Sequence, residues 1–449
     1  MTPMPHDVAP VSANGKSLDL ADAPSNGQPR ERRLAFYQWL IRHLFPGVKV
    51  PIRIVFYNGI EVATAPGTPI ATVRIRDRTT FLLMAVNLDM TFGDAYSEGR
   101  IEVEGDFLAF LVEAFRAPPA PATVQVLRHW IARWNARPRP NSVDKSRDNV
   151  WHHYDLGNDF YKLWLDEQLV YTCAYFPTST ATLEEAQIAK MERVCRKLWL
   201  KPGETVVEAG CGWGALARHM AKHHGVKVRA FNLSREQVAY ARQRAREEGL
   251  ADRIEYVEAD YRSITGQYDV FVSVGMLEHV GPQNYRALGR LIHSVLKPTG
   301  RGLIHSIGRN HPCRTNPWLE KRIFPGAYMP SPREIARIFE PLDFSVVDVE
   351  NLRLHYAKTL EHWLQRFDGV ADKVRDMFDE RFVRMWRMYL ASSQAGFLSG
   401  TIQLFQYVFV PGKSNEIPWT RDQLYDRPTY PVPHHTSLSN GVMNGHGSL

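Results

Sequence analysis

The segment Val206-Val207-Glu208-Ala209-Gly210-Cys211-Gly212-Trp213-Gly214 constrains this chain more than any other. An apolar strand runs into three glycines within five residues and then into the helix-like Ala215-Leu216-Ala217-Arg218-His219-Met220. Glycines at 210, 212 and 214 permit positive φ and close backbone approach to a ligand, while the helix N-terminus behind them offers unpaired N–H groups. Ala217 stands where a dinucleotide fingerprint places its third glycine, and no Asp or Glu closes the next strand to grip a ribose.

Four further strand-like segments follow at the spacing of successive βα units. Val226 to Phe231 ends in Asn232-Leu233-Ser234, where Asn232 and Ser234 can bond ligand hydroxyls and Ser234 can cap the helix from Arg235. A third unit ends at Glu258-Ala259-Asp260-Tyr261-Arg262, a fourth strand spans Tyr268 to Val274, and a fifth spans Gly302 to Gly308. Strands alternating with helices predict a parallel, doubly wound α/β sheet with every polar cluster at a strand C-terminal end, where such sheets bind ligands. The set is compatible with S-adenosylmethionine rather than a dinucleotide.

Glu278-His279-Val280-Gly281-Pro282, His305-Ser306-Ile307-Gly308, the upstream segment His153 to Tyr161 and Tyr171-Thr172-Cys173-Ala174-Tyr175 together carry a more specific signal. Over about residues 90–410 the chain resembles the cyclopropane-fatty-acyl-phospholipid synthase family, relatives of the mycolic-acid cyclopropane synthases, within the S-adenosylmethionine-dependent methyltransferases. The resemblance implies a Rossmann-like class I methyltransferase sheet with an α-helical lid insertion, plus a small α+β lipid-binding-like domain at the N-terminus. It implies transfer of the methylene carbon of S-adenosylmethionine to the cis double bond of an acyl chain in a membrane phospholipid. The base is expected to be bound bicarbonate, held by side-chain and backbone groups of Cys173, Glu278, His305, Ile307 and Tyr356. The expected cofactor set is Tyr171, Thr172, Glu208, Gly210, Gly212, Gly214, Asn232, Leu233, Ser234, Gln237, Asp260, Tyr261 and Arg262. No metal is expected.

The chemistry asks for these residue types. An isolated alkene is a poor nucleophile, so it must meet the sulfonium methyl in a dry, preorganised pocket, and transfer leaves a carbocation. Glu278 can accept the bicarbonate hydroxyl proton while His305, Tyr356 and backbone N–H groups donate. The rings of Tyr154, Phe160, Tyr161 and Tyr175 are candidates to stabilise the cation. His305 equally fits a core histidine in an apolar strand, and Cys173 a small buried hydrophobe acting only through its backbone. His279, Cys211 and Cys313 are read as structural. Glu208-Ala209 replaces the commoner Asp-Ile of the first motif, which preserves the acidic contact. Ser393 stands where the family often carries a cysteine, which argues against a covalent thiol.

Stopping at a methyl or methylene branch on the same alkene is the nearest alternative activity; a polar-metabolite or nucleic-acid methyltransferase and a non-catalytic lipid carrier are more distant ones. Residues 1–28 and 411–449, rich in Pro, Ser, Asn and Gly, predict disordered tails. Residues 29–117 read as the α+β domain, with a helix over Arg33 to Leu44 and strands at Ile52 to Phe56, Ala71 to Ile75 and Phe81 to Val86. Residues 118–149 read as a linker whose Trp130 and Trp134, set among arginines, face either a membrane or a neighbouring domain. Residues 150–410 form the catalytic domain. A net charge of +7 suits an anionic membrane and nucleic acid alike; it is the family resemblance that implies lipid rather than nucleic acid as the partner and a homodimer as the working unit. Four cysteines without metal-ligand spacing fit a reducing cytoplasm, with the enzyme peripheral to the inner face of the membrane. Trp363, Phe367, Phe382, Trp386 and Tyr389 either line an acyl tunnel or pack a core.

Overall fold

The computed structural model of the chain describes residues 29–44, 47–117 and 156–425. Trp130, Trp134, Tyr154, the linker 118–149 and residues 1–28 and 426–449 lie outside the described residues.

The N-terminal module is α1 (Pro29–Leu44), β1 (Ile52–Val55), β2 (Glu61–Ala63), β3 (Ala71–Ile75), α2 (Arg78–Val86), α3 (Leu88–Ser97), β4 (Ile101–Gly105) and α4 (Phe107–Arg116). Its four-stranded sheet has the order β2-β1-β3-β4. Strand alternation buries Ile52, Ile54, Ala71, Val73 and Ile75 on one face. The strand expected at Phe81 to Val86 is instead α2. Asp77 caps it, accepting from the Thr80 amide at 2.7 Å and the Thr80 hydroxyl at 2.6 Å, and this local cap overrides the β propensity of the apolar run.

The second unit opens with α5 (Asn158–Lys162) and α6 (Leu183–Lys197). The sheet then alternates β5 (Thr205–Ala209), α7 (Ala215–His224), β6 (Lys227–Asn232), α8 (Arg235–Glu247), β7 (Ile254–Glu258), β8 (Tyr268–Val274), α9 (Tyr285–Val295) and β9 (Leu296–Gly308). After β9 come α10 (Pro317–Arg322), α11 (Pro332–Phe339), β10 (Phe344–Asn351), α12 (Arg353–Gly369), α13 (Ala371–Met377), α14 (Glu380–Ser399) and β11 (Gln403–Pro411). The seven strands lie in the order β10-β11-β9-β8-β5-β6-β7. β11 runs antiparallel to both of its neighbours, while β5 to β9 pair in parallel. The near-continuous apolar run of β8 is what a strand covered on both faces requires. The helical insertion is split by β10, with α10 and α11 before it and α12 to α14 after it.

The module docks on that insertion. A Cβ at Gly93 of α3 would stand 2.5 Å from the Trp318 indole of α10, so the two helices touch where only glycine fits. Arg322 forks onto Asp94 with both contacts at 2.9 Å, and the Arg384 guanidinium lies 4.5 Å over the Tyr96 ring while donating to the Tyr96 carbonyl. Residues 411–425, expected within the disordered tail, are instead folded onto the sheet edge, with Leu424 buried and Arg421 pairing Asp348 at 3.0 Å. The anchors are single residues inside a polar, proline-containing segment whose composition resembles a tail.

Candidate active site

The C-terminal ends of β5, β6 and β8, with the turn that follows β7, surround a cavity of about 160 Å³. Gly210 and Gly214 both have positive φ, +87° and +78°, and each lies where a side chain cannot. A Cβ at Gly210 would press on Met276, and one at Gly214 would stand 2.5 Å from the Tyr256 hydroxyl, which donates to the Gly214 carbonyl. The turn thus places α7 directly behind the cavity. Asn232 at the end of β6 donates to the Gly212 carbonyl at 3.1 Å and to Gln237 at 2.7 Å, tying the second loop to the first.

Eleven of the thirteen expected cofactor residues line this cavity: Tyr171, Thr172, Glu208, Gly210, Gly212, Asn232, Leu233, Gln237, Asp260, Tyr261 and Arg262. Gly214 and Ser234 stand behind it. Ser234 instead caps α8, accepting from the Gln237 amide at 3.3 Å. His279 and Cys211, expected to be structural, also line the cavity, as do Met276 and Lys190. Three buried polar atoms of this lining lack a protein partner: Glu208 Oε2, Gln237 Nε2 and Asp260 Oδ2. Buried polar groups are seldom left unsatisfied, so a polar ligand of this size fits the lining.

Lys190 is the residue that sequence reasoning missed. It is buried on α6 and donates to the Thr172 hydroxyl at 3.1 Å. Burial lowers its ammonium to about 8, against the raising influence of Asp166, Cys173 and Glu208. Glu208 is pushed up to about 7 by burial, opposed by Lys190 and Arg218. Lys190 lies 18 residues from Thr172 and Glu208 another 18 beyond, with no motif to link them; only a lysine at an inward helix position could have signalled the pairing.

The five expected catalytic residues are not among those lining the cavity; Cys173 and Glu278 are chain neighbours of the lining residues Thr172 and His279. Glu278 is buried, and its Oε1 accepts from the Ile307 amide at 2.6 Å. Its Oε2 is buried without a protein partner. Burial pushes the carboxyl up to about 7, with backbone hydrogen bonds and the Ser306 hydroxyl pulling the other way. His305 Nδ1 stands 3.0 Å from Gln406 Nε2 on β11. An amide nitrogen can only donate, so Nδ1 accepts and the neutral ring carries its proton on Nε2. Burial lowers His305 to about 3, which keeps it neutral.

Cys173 is wholly buried, its thiol donates to the Ala174 carbonyl at 3.1 Å, and burial drives its pKa up. Tyr356 on α12 stacks on Phe397 at 4.6 Å and meets Trp363 edge-on. Of the five, the structure joins Glu278 and Ile307 directly. Among the aromatic candidates, Tyr161 lies 5.0 Å from the cavity-lining Trp213. Phe160 packs on Trp386 at 5.0 Å, and Tyr175 is held between His355 and the Arg193 guanidinium. Trp363, Phe367, Trp386 and Tyr389 are buried in the aromatic core.

Residues 141–407, more than half of the chain, match the family model for mycolic acid cyclopropane synthetase. The chain belongs to the mycolic acid cyclopropane synthetase family. Within the range of this family it is 41 % identical over 276 residues to the cyclopropane-fatty-acyl-phospholipid synthase of Escherichia coli K12, covering 60 % of this chain and 71 % of the relative. A probable fatty acid methyltransferase of Pseudomonas putida is 33 % identical over 389 residues, covering 84 % of this chain and 96 % of the relative. The crystal structure of the mycolic acid cyclopropane synthase CmaA1 complexed with SAH and CTAB superposes with a TM-score of 0.56 at 31 % identity, over 59 % of this chain and 97 % of that one. The seven-stranded sheet is therefore that of the S-adenosylmethionine-dependent methyltransferases, and this family member is such an enzyme.

Proposed function

We propose that this enzyme adds the methyl carbon of S-adenosylmethionine across the cis double bond of an unsaturated acyl chain in a membrane phospholipid and closes a cyclopropane ring, with bicarbonate as the base. The observation that carries the reading is Glu278, a buried carboxylate at the ligand edge of a methyltransferase sheet, with one oxygen held by the Ile307 amide and the other without a protein partner. When bound, S-adenosylmethionine supplies an electrophilic methyl carbon and bicarbonate a proton acceptor.

The chain's own residues do the rest. Glu208, Asn232, Gln237 and Asp260 hold the polar groups of the cofactor, and the 210–214 turn lets it approach the backbone. Ile307 aims the Glu278 carboxylate, which in its ionised form accepts a hydrogen bond from the anion's hydroxyl. His305, with Nδ1 occupied by Gln406, donates from Nε2, and Tyr356 donates its hydroxyl. Cys173 contributes its backbone only, because its thiol is protonated and already engaged. The Tyr161, Trp213 and Tyr171 faces exclude water and favour a passing cation.

Access to lipid falls to the N-terminal module, which exposes Leu34, Phe36 and Trp39 on α1, Tyr57, and Leu82, Leu83 and Val86 on α2. No helix among the described residues is long and apolar enough to cross a membrane. In this reading the enzyme is a homodimer working from the cytoplasmic surface of the bilayer.

A second reading keeps the fold and the alkene but ends in a methyl or methylene branch. The Pseudomonas putida relative, matched over nearly its whole length, favours it. The roles assigned to Glu278 and His305 are tested by Glu278→Gln and His305→Ala. Both should bind S-adenosylhomocysteine within about threefold of the parent by calorimetry while product formation falls by about a hundredfold or more. Loss of cofactor binding in either variant, or full product formation in both, would remove the base-site assignment.

A further inference from the structure

A second group of donor side chains converges where α6 packs on α7, behind the cavity. Cys195 and Glu192 come from α6, and His219, His223 and His224 from the last turns of α7. The Cys195 sulfur and one ring nitrogen each of His219 and His224 lie within 4.8 Å of one another. Cys195 and His219 are buried, and His224 is partly exposed. Glu192 Oε2 reaches both rings, 3.4 Å from His219 Nε2 and 3.0 Å from His224 Nε2, while its Oε1 accepts from Arg196 at 2.8 Å. None of these residues lines the cofactor cavity.

We propose that Cys195, His219 and His224 form a three-donor site for a divalent metal ion of the zinc class, its fourth position open to solvent at the partly exposed His224, with Glu192 as the carboxylate that holds both imidazoles. One thiolate and two imidazoles are the donor set that suits zinc, and burying them together excludes the oxygen-preferring magnesium and calcium. Bond lengths of about 2.0–2.1 Å to nitrogen and about 2.3 Å to sulfur make tetrahedral donor-to-donor edges of roughly 3.3–3.6 Å. Within 4.8 Å of one another, the three donors stand at most about 1.5 Å wider than those edges, and binding draws them together. A carboxylate that bonds one nitrogen of an imidazole fixes its tautomer and aim, and Glu192 Oε2 stands within 3.4 Å of a nitrogen of each ring. On binding, the ion gains the Cys195 sulfur as thiolate and the thiol proton leaves to solvent.

The consequence reaches the active site through the two helices. α6 carries Lys190 and Gln187, which hold Thr172 and the backbone of the cavity wall. α7 begins at Gly214, the last residue of the glycine turn. An ion between them ties one wall of the cavity to the other. No short motif displays the site, because its ligands are 24 and 5 residues apart along the chain and meet only through helix packing.

The test uses the full-length protein prepared without a polyhistidine tag and stripped of metal with a chelator. Titrated with Co²⁺, it should take up one equivalent, developing a sulfur-to-cobalt charge-transfer band and intense visible bands of a tetrahedral ion, both erased by Zn²⁺. Cys195→Ser should lose the charge-transfer band. His224→Gln, at the partly exposed position, should keep the fold and weaken Co²⁺ binding at least about tenfold. Binding of S-adenosylhomocysteine by the stripped protein, read separately, keeps this result independent of the cofactor assignment. Absence of stoichiometric uptake, or an unchanged charge-transfer band in Cys195→Ser, overturns the site; a band surviving there would come from the exposed Cys313.

Discussion

Glu278 stands under two opposed influences. Burial favours its protonated form, and the Ile307 amide favours the ionised one, leaving the folded carboxyl near 7 against an ordinary 4.5. Because the folded pKa is the higher, the native state holds an extra proton between about pH 4.5 and pH 7. Stability of the cofactor-free enzyme therefore falls as pH rises through that window and levels off above it. The full effect is at most about 3 kcal/mol. Glu278→Gln removes this contribution, so denaturant unfolding should show the variant gaining on the parent by on the order of 1–3 kcal/mol between about pH 5 and pH 8. Parallel profiles would mean that Glu278 is not held in the protonated form. Lys190 answers to a different test. Lys190→Met removes a positive charge that lowers the buried Glu208 carboxyl and the donor to Thr172, so Glu208 stays protonated to higher pH and calorimetry should show binding of S-adenosylhomocysteine weakened by about tenfold; parental affinity would remove Lys190 from the cofactor site. At this scale Glu208, Asn232 and Asp260 are legible in the sequence, because each lies at or just beyond the C-terminal end of a strand inside a recognisable pattern. The sequence hid Lys190 and Gln406, whose partners lie on other elements and share no motif with them.

Among the elements, the strands of the sheet were the easiest to read, since β8 and the ends of β5 and β6 are short apolar runs closed by glycine or by Asn and Ser. The apolar run of α2 reads as a strand because it is short and its deciding signal, the Asp77 cap, precedes it. Residues 411–425 were misread because composition cannot reveal the anchoring of Leu424 and Arg421. The contact of α3 with α10 was likewise invisible, although it governs how the N-terminal module sits. Gly93→Val forces a side chain into the Trp318 ring, where the nearest atoms already stand within 2.6 Å of the added Cβ. Overpacking of this kind costs about 1–3 kcal/mol. Calorimetry of parent and variant should show the module melting at a lower temperature in the variant while the catalytic sheet melts as in the parent; identical profiles would place the docking elsewhere.

For the whole molecule, the methyltransferase sheet and the apolar faces of α1 and α2 serve one reaction only if the second delivers lipid to the first. Phe36→Ser combined with Leu82→Ser should lower sedimentation with anionic phosphatidylglycerol vesicles by about tenfold, while binding of S-adenosylhomocysteine stays at the parental value, because neither residue lines the cavity. Equal sedimentation of parent and variant would assign lipid delivery to another surface. The sheet, the lipid-facing helices and Glu278 together serve ring closure on a phospholipid acyl chain in the proposed reaction. It is tested most directly by incubating the purified enzyme with monounsaturated liposomes, bicarbonate and methyl-labelled S-adenosylmethionine, then resolving the acyl products by mass spectrometry and NMR. Ring closure yields labelled chains heavier by one carbon and two hydrogens that carry cyclopropane proton signals. The same mass with olefinic or methylene signals would support the branching reading, and unlabelled lipid in the presence of bound cofactor would contradict the account altogether.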